Sequence, residues 1–194
     1  MNRLVALLLA LSLAGCIVFD KKSEGVTFHQ FAAQVVAPTS SRPLVFVPRA
    51  TLPGPVRRPA VVIVTQGGEV QLDDSHRWAA PVDRLVAETL ARHLTRLAGT
   101  PTVLQTPESP HLTLLIECES FEVVPERRAG LTINYRFEKA DGSAVAGGRT
   151  TSTEPMKELT AAAFVTAQSL NLAKAGQAIA ETLRALPASQ FPTR

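Results

Sequence analysis

Apolar positions follow three rhythms along the chain. An unbroken apolar run, Leu4 to Leu11, comes first. After it, short stretches suit strands. Residues 26–36 look extended, with Phe28, Phe31, Val35 and Val36 supplying apolar contacts, and Leu44–Val47 is a β-rich run closed by Pro48. Residues 51–59 hold too many prolines and glycines for a helix. Ala60 to Gln66 reads as a strong strand. Gly67-Gly68 is a turn signal, and Glu69–Leu72 alternates and can pair back across it. Residues 67–77 otherwise read as a polar loop.

A helical rhythm begins near Pro81, where proline suits a first helical position because its missing N–H had no partner there. Val82, Leu85, Val86, Leu90, Leu94 and Leu97 form one stripe, and Asp83, Arg84, Glu88, Arg92 and Arg96 face away. Gly99 stops the helix. Thr102–Leu104 leads into a loop with Pro107 and Pro110. His111–Val124 is a long strand with Leu112, Leu114, Ile116 and Cys118 on one side, and Leu131–Phe137 with Ser143–Thr151 forms a hairpin around Asp141-Gly142. From about 157 to 186 a second helix carries Val165, Leu172, Ile179, Leu183 and Leu186; Ser169 and Gly176 on the same stripe would let its backbone approach a sheet. Strands split by two amphipathic helices predict an α+β fold, a mostly antiparallel sheet with both helices on one face.

The opening run fits a different purpose. Arg3, the apolar stretch and Ser12-Leu13-Ala14-Gly15-Cys16 have the charged, apolar and small-residue regions of a secretory signal. The run is shorter than the ~20 residues a spanning helix needs. Leu13-Ala14-Gly15-Cys16 resembles the lipobox of bacterial lipoproteins. The resemblance implies cleavage between Gly15 and Cys16, a diacylglycerol on the Cys16 thiol and an acyl chain on the new amine. More than one chain gives stable anchoring, at ~0.8 kcal/mol per buried CH₂. Ile17, rather than Asp, follows the cysteine, which favours the outer membrane. The expected organisation is a signal over 1–15, an acylated tether over 16–25, one domain over 26–187 and a mobile tail over 188–194.

Composition excludes several classes. One of the twenty basic residues, Arg3, lies in the leader, leaving nineteen against seventeen acidic ones. That scattered, near-neutral balance gives no case for nucleic acid. Cys118, without a second mature cysteine to pair with, reads as a small buried hydrophobe. His29, His76, His93 and His111 show no metal-ligand spacing. Asp73-Asp74-Ser75-His76 holds the residue types of a catalytic triad, but contiguous loop residues cannot line up nucleophile, base and orienter. Glu117 and Glu119 share a strand face roughly 7 Å apart, read as a solvated face rather than a glycosidase pair. Nothing points to an enzyme, a metal or a cofactor beyond the acyl chains.

One segment is distinctive: Arg77-Trp78-Ala79-Ala80-Pro81-Val82, holding the single tryptophan, directly before the first helix. Trp78 would staple the first turn onto the sheet. With Cys16, Phe28–Phe31, Val45–Pro48, Arg58–Val62, Gln66–Asp73 and Leu85–Leu97, the chain resembles the PqiC (YmbA) type of ABC-type transport auxiliary lipoprotein. It departs at Val82, where a leucine is usual, and at Phe28-His29-Gln30-Phe31, in place of a tyrosine-rich start. The resemblance implies a non-catalytic outer-membrane subunit, lipid-anchored at the periplasmic face. Its system moves phospholipid or similar cargo through a periplasmic MCE-domain tunnel protein and inner-membrane components, and such chains resemble ring-forming homo-oligomers. Arg77, Trp78 and Pro81 are the candidate partner-binding residues. The alternatives are an activator of a peptidoglycan synthase and a membrane-anchored hydrolase.

Overall fold

A computed structural model describes residues 25–39, 44–65 and 67–192. Eight strands and two helices follow one another: β1 (Thr27–His29), β2 (Leu44–Phe46), β3 (Ala60–Val64), β4 (Val70–Trp78), α1 (Val82–Ala98), β5 (Thr102–Val103), β6 (His111–Val124), β7 (Arg128–Glu138), β8 (Ala144–Pro155) and α2 (Ala161–Ala185). A small sheet has the order β1-β4-β3 and a larger one β5-β2-β6-β7-β8. β6 couples them. One of its edges pairs in turn with β2 and, through single bridges, with Thr51 at Glu117 and Thr65 at Val123.

The fold is α+β as expected, but the sheets are mixed. β3–β4, β6–β7 and β7–β8 are antiparallel, whereas β1–β4, β2–β5 and β2–β6 are parallel. Short parallel strands carry no turn signal between partners, so the pattern could not show them. The stretch read as a loop at 67–77 is mostly strand. β4 runs to Trp78, and its alternation is hidden because Asp74–His76 bulge out between the pairs Val61↔Asp73 and Ala60↔Arg77.

α1 keeps its predicted span. Pro81 is the N-cap, its carbonyl accepting from the N–H groups of Arg84 and Leu85 (both 3.0 Å), and Gly99 ends the helix at φ 68°. α2 starts later than its periodicity suggested, at Ala161, where the Thr160 hydroxyl accepts from the Ala163 N–H (3.3 Å). Gly176 serves a helix rather than a sheet: a Cβ there would lie 2.6 Å from the His93 Cβ of α1. Ser169 lies instead beside the chain after β1, its hydroxyl accepting from the Ala32 N–H (3.2 Å). α2 is fastened to β7 by buried amides. Gln168 donates to the Gly130 carbonyl (2.9 Å) and Asn171 to that of Ala129 (2.8 Å). Beyond α2 the tail has a turn of 3₁₀-helix, Ala188–Gln190, and Phe191 packs against the core.

An aromatic seam joins the two sheets. Trp78 of β4 meets Phe31 (ring centroids 5.0 Å), Phe31 meets Phe121 of β6 (6.2 Å), and Phe121 meets Phe164 of α2 (5.4 Å). All four side chains are buried.

Candidate docking site

The end of β4, the start of β3 and the start of α1 meet at one corner. The Trp78 N–H donates to the Pro59 carbonyl and the Ala79 N–H to that of His29, both at 2.8 Å. These bonds fix the backbone where β4 runs into the start of α1. The indole is 5 % exposed and its Nε1 has no hydrogen-bond partner among the described residues. Burying an N–H without an acceptor costs roughly 1–3 kcal/mol, so packing against Phe31 has to outweigh it.

Beside the indole lies a pocket of about 450 Å³, walled by Trp78, Pro59, Ala80, Pro81 and Val82 and lined by Arg49, Arg57, Arg58 and Asp83. Arg49 and Asp83 pair at 3.4 Å. The guanidinium groups of Arg57 and Arg58 are exposed and have no hydrogen bond or ion pair among the described residues. Three cations against one carboxylate, on an aromatic and proline wall, suit an anionic group carried on an apolar segment. A larger cleft of about 930 Å³ runs along the other side of Arg49, between α1 and β5. It is lined by Val35, Val36, Val103 and Leu104, with the Arg84–Glu88–Arg92 ion pairs (2.7 and 3.8 Å) on the helix side.

The structure divides the expected partner-binding residues. Trp78 and Pro81 share the pocket, Trp78 as a buried strut and Pro81 as an exposed rim. Arg77 is absent from it, because adjacent strand residues point to opposite faces. Sequence reasoning missed Arg49, Arg57 and Arg58; the basic-proline run at 57–59 was visible, but nothing local showed that it folds back to Trp78. Gly15 and Cys16 lie outside the described residues.

The remaining polar candidates resolve as follows. His29 and His76, 47 residues apart, meet across β1 and β4 with Nε2 and Nδ1 2.6 Å apart, and His76 Nε2 lies 3.7 Å from Asp73. Burial, then the neighbouring His76, lowers the pKa of His29. The Ser75 hydroxyl donates to Asp73 (2.5 Å) and not to His76, so no base faces that hydroxyl; this bond is the main reason the Asp73 pKa is lowered. His93 is buried in the helix interface with both ring nitrogens unpartnered, and burial, then Arg96, lowers its pKa. Cys118 is buried and its thiol is pushed up to about 12 by burial and the nearby Glu117. Glu119 pairs with Arg149 (2.9 Å) and accepts from Asn134 (3.3 Å) on the open face of the large sheet. Among the described residues no three His, Cys, Asp or Glu side chains are grouped as a metal site, and no helix is long and apolar enough to cross a membrane.

A family model described as an ABC-type transport auxiliary lipoprotein component matches residues 27–180. No curated protein matches the chain. Among solved structures, an uncharacterised protein superposes at TM-score 0.69 with 17% identity, over 81% of this chain and 98% of its own. A Xanthomonas campestris protein classed under DUF330 does so at 0.65 with 17% identity, over 80% and 93%. These two share the fold. The PelC dodecamer of Paraburkholderia phytofirmans reaches only 0.43 at 9% identity, over 77% and 95%, and bears on neither assembly nor function here.

Proposed function

We propose a function on one premise: this chain belongs to the family of ABC-type transport auxiliary lipoprotein components. It is the outer-membrane subunit of an MCE-type system that moves phospholipid between the inner and outer membranes and supports envelope integrity. Acyl chains on Cys16, exposed by cleavage after Gly15, hold it at the periplasmic face. Several copies assemble beneath the periplasmic tunnel protein and dock it. Any ATP chemistry belongs to the inner-membrane components, and the domain's own part is binding, without catalysis or a resident cofactor.

The observation that carries this reading is the pocket beside Trp78. Its three arginines oppose a single carboxylate on a wall of tryptophan and proline. Aromatic and Arg anchors dominate interface energies, and a rigid wall lowers the entropic cost of docking. Trp78 holds the wall in place, Pro81 shapes its rim, and Arg57 and Arg58 meet an acidic partner segment.

A photo-crosslinker at Pro81 in the full acylated chain tests it. Capture of an MCE-domain protein is expected, falling at least tenfold in the Arg57→Glu/Arg58→Glu variant. Capture of a peptidoglycan synthase alone would replace the reading with the activator alternative. Hydrolysis of an ester, peptide or glycan that is lost on Glu117→Gln would replace it with the hydrolase.

A further inference from the structure

The face of the small sheet turned away from the helices carries several exposed apolar side chains. Register defines it. Ile63 and Val61 enter the core, so Ala60 and Val62 face the other way, while Val64 at the strand end still packs against the core. Paired residues share a face, which adds Leu72 opposite Val62, Arg77 opposite Ala60 and Phe28 opposite Arg77, with Val70 two residues along β4 from Leu72. Phe28 is 66%, Leu72 51% and Val70 44% exposed, and Val26, next to β1, is 45% exposed. Val62 and Ala60, on β3, are buried. The open face of the large sheet is built differently, with the ion pairs Glu119–Arg149 and Arg136–Glu138.

We infer that this face rests on the lipid leaflet that holds the anchor, with Phe28, Leu72 and Val70 at the boundary of headgroups and acyl chains and Arg77 against a lipid phosphate. The inference rests on the anchoring half of the proposed function and not on its transport half. The occupant follows from where the chain leaves the domain. β1 carries Phe28 and is the first strand after the tether, and only residues 17–26 separate it from Cys16. Ten residues of random coil span about 16–19 Å. The face itself measures roughly 10 Å across three strands and 17 Å along them. The chain enters the domain at β1, an edge strand of this face, which sets the face within about one face-length of the bilayer. A protein partner needs no such placement.

Charge sets the character of the contact. Among the described residues Arg77 is the one cation that the register places on the face, and the acids nearest in sequence are Glu69, Asp73 and Asp74; Asp73 lies on the core side of β4, bonded to Ser75. The contact is mainly apolar and should be nearly insensitive to salt.

The test uses the acylated full chain in vesicles of phosphatidylethanolamine and phosphatidylglycerol, three to one, with a nitroxide at Leu72→Cys or at Leu170→Cys, an exposed position on α2. Cys16 is blocked by its lipid and Cys118 is buried, so labelling is selective. Relaxation by oxygen, relative to a water-soluble nickel complex, should be at least fivefold greater at 72 than at 170, and unchanged between 0.1 and 0.5 M salt. Val70→Cys should repeat the result. Equal nickel access at 72 and 170 overturns the inference. So does protection at 72 that grows with protein density, which would mean that a second copy covers the face. Lipid contact at 72 together with lost capture of an MCE-domain protein counts against the transport reading alone.

Discussion

The two sheets of this domain are made in different ways. In the large one, β6, β7 and β8 are 14, 11 and 12 residues long, α2 is clamped to β7 by buried amides, and the open face is laced with ion pairs. In the small one, β1 and β3 are 3 and 5 residues long and β4 bulges at Asp74–His76. Its corner holds Trp78 with an unpartnered Nε1, Arg57 and Arg58 without ion partners among the described residues, and exposed apolar side chains on the outer face. Exposed apolar side chains and exposed charges without ion partners mark where a domain meets something else. The large sheet with α2 is scaffold; the small sheet with the start of α1 is the working surface, held to the scaffold by the seam of Trp78, Phe31, Phe121 and Phe164.

The comparison breaks most severely at the seam. Phe121→Ala removes the ring that touches both Phe31 and Phe164, and should cost about 3–5 kcal/mol in denaturant unfolding. If the seam couples the halves, the native chain unfolds in one transition by near- and far-ultraviolet circular dichroism and Phe121→Ala broadens or splits it. Two separated transitions already in the native chain would show that the halves are independent. A smaller loss, about 1–3 kcal/mol, is expected for Gly176→Val, because its branched side chain forces α2 off His93. Gly176→Ala should fall between that variant and the native chain.

Acid sharpens the contrast further. His93 and His29 have pKa values lowered chiefly by burial, so the folded protein resists protonating them. The unfolded chain takes up those protons near pH 6.5, so stability is flat above that pH and declines as pH falls below it toward the folded values. Each group contributes at most about 1.4 kcal/mol per pH unit in that window. Melting at pH 7.5 and 5.0 should show a lower midpoint in acid. His93→Leu should reduce the difference while leaving the neutral midpoint unchanged or raised, since neither ring nitrogen gives up a hydrogen bond.

Legibility followed the same division. The scaffold was readable because its elements are long: β6 spans His111 to Val124 and keeps its alternation as far as Cys118, beyond which a bulge at Glu119 brings Phe121 and Val123 inward, and α1 keeps its stripe from Val82 to the left-handed Gly99. The working surface depends on contacts distant in sequence. His29 reaches His76, Pro59 reaches Trp78, and Arg49 lies beside Pro81. The bulge in β4 made a strand look like a loop, and with it went the cue that Arg77 and Trp78 must point to opposite faces. The motif Arg77-Trp78-Ala79-Ala80-Pro81 marked the correct corner, while the arginines completing it came from a segment whose prolines read only as a break.

Charge reversal at matched exposed sites puts the division to its most direct test. In cells lacking the native chain, the Arg57→Glu/Arg58→Glu variant and the Arg149→Glu variant are each supplied and detergent resistance is measured, with melting midpoints confirmed equal. Loss of resistance with the first and full resistance with the second is the predicted result. Full resistance with the first and loss with the second would place the working surface on the large sheet and contradict the account.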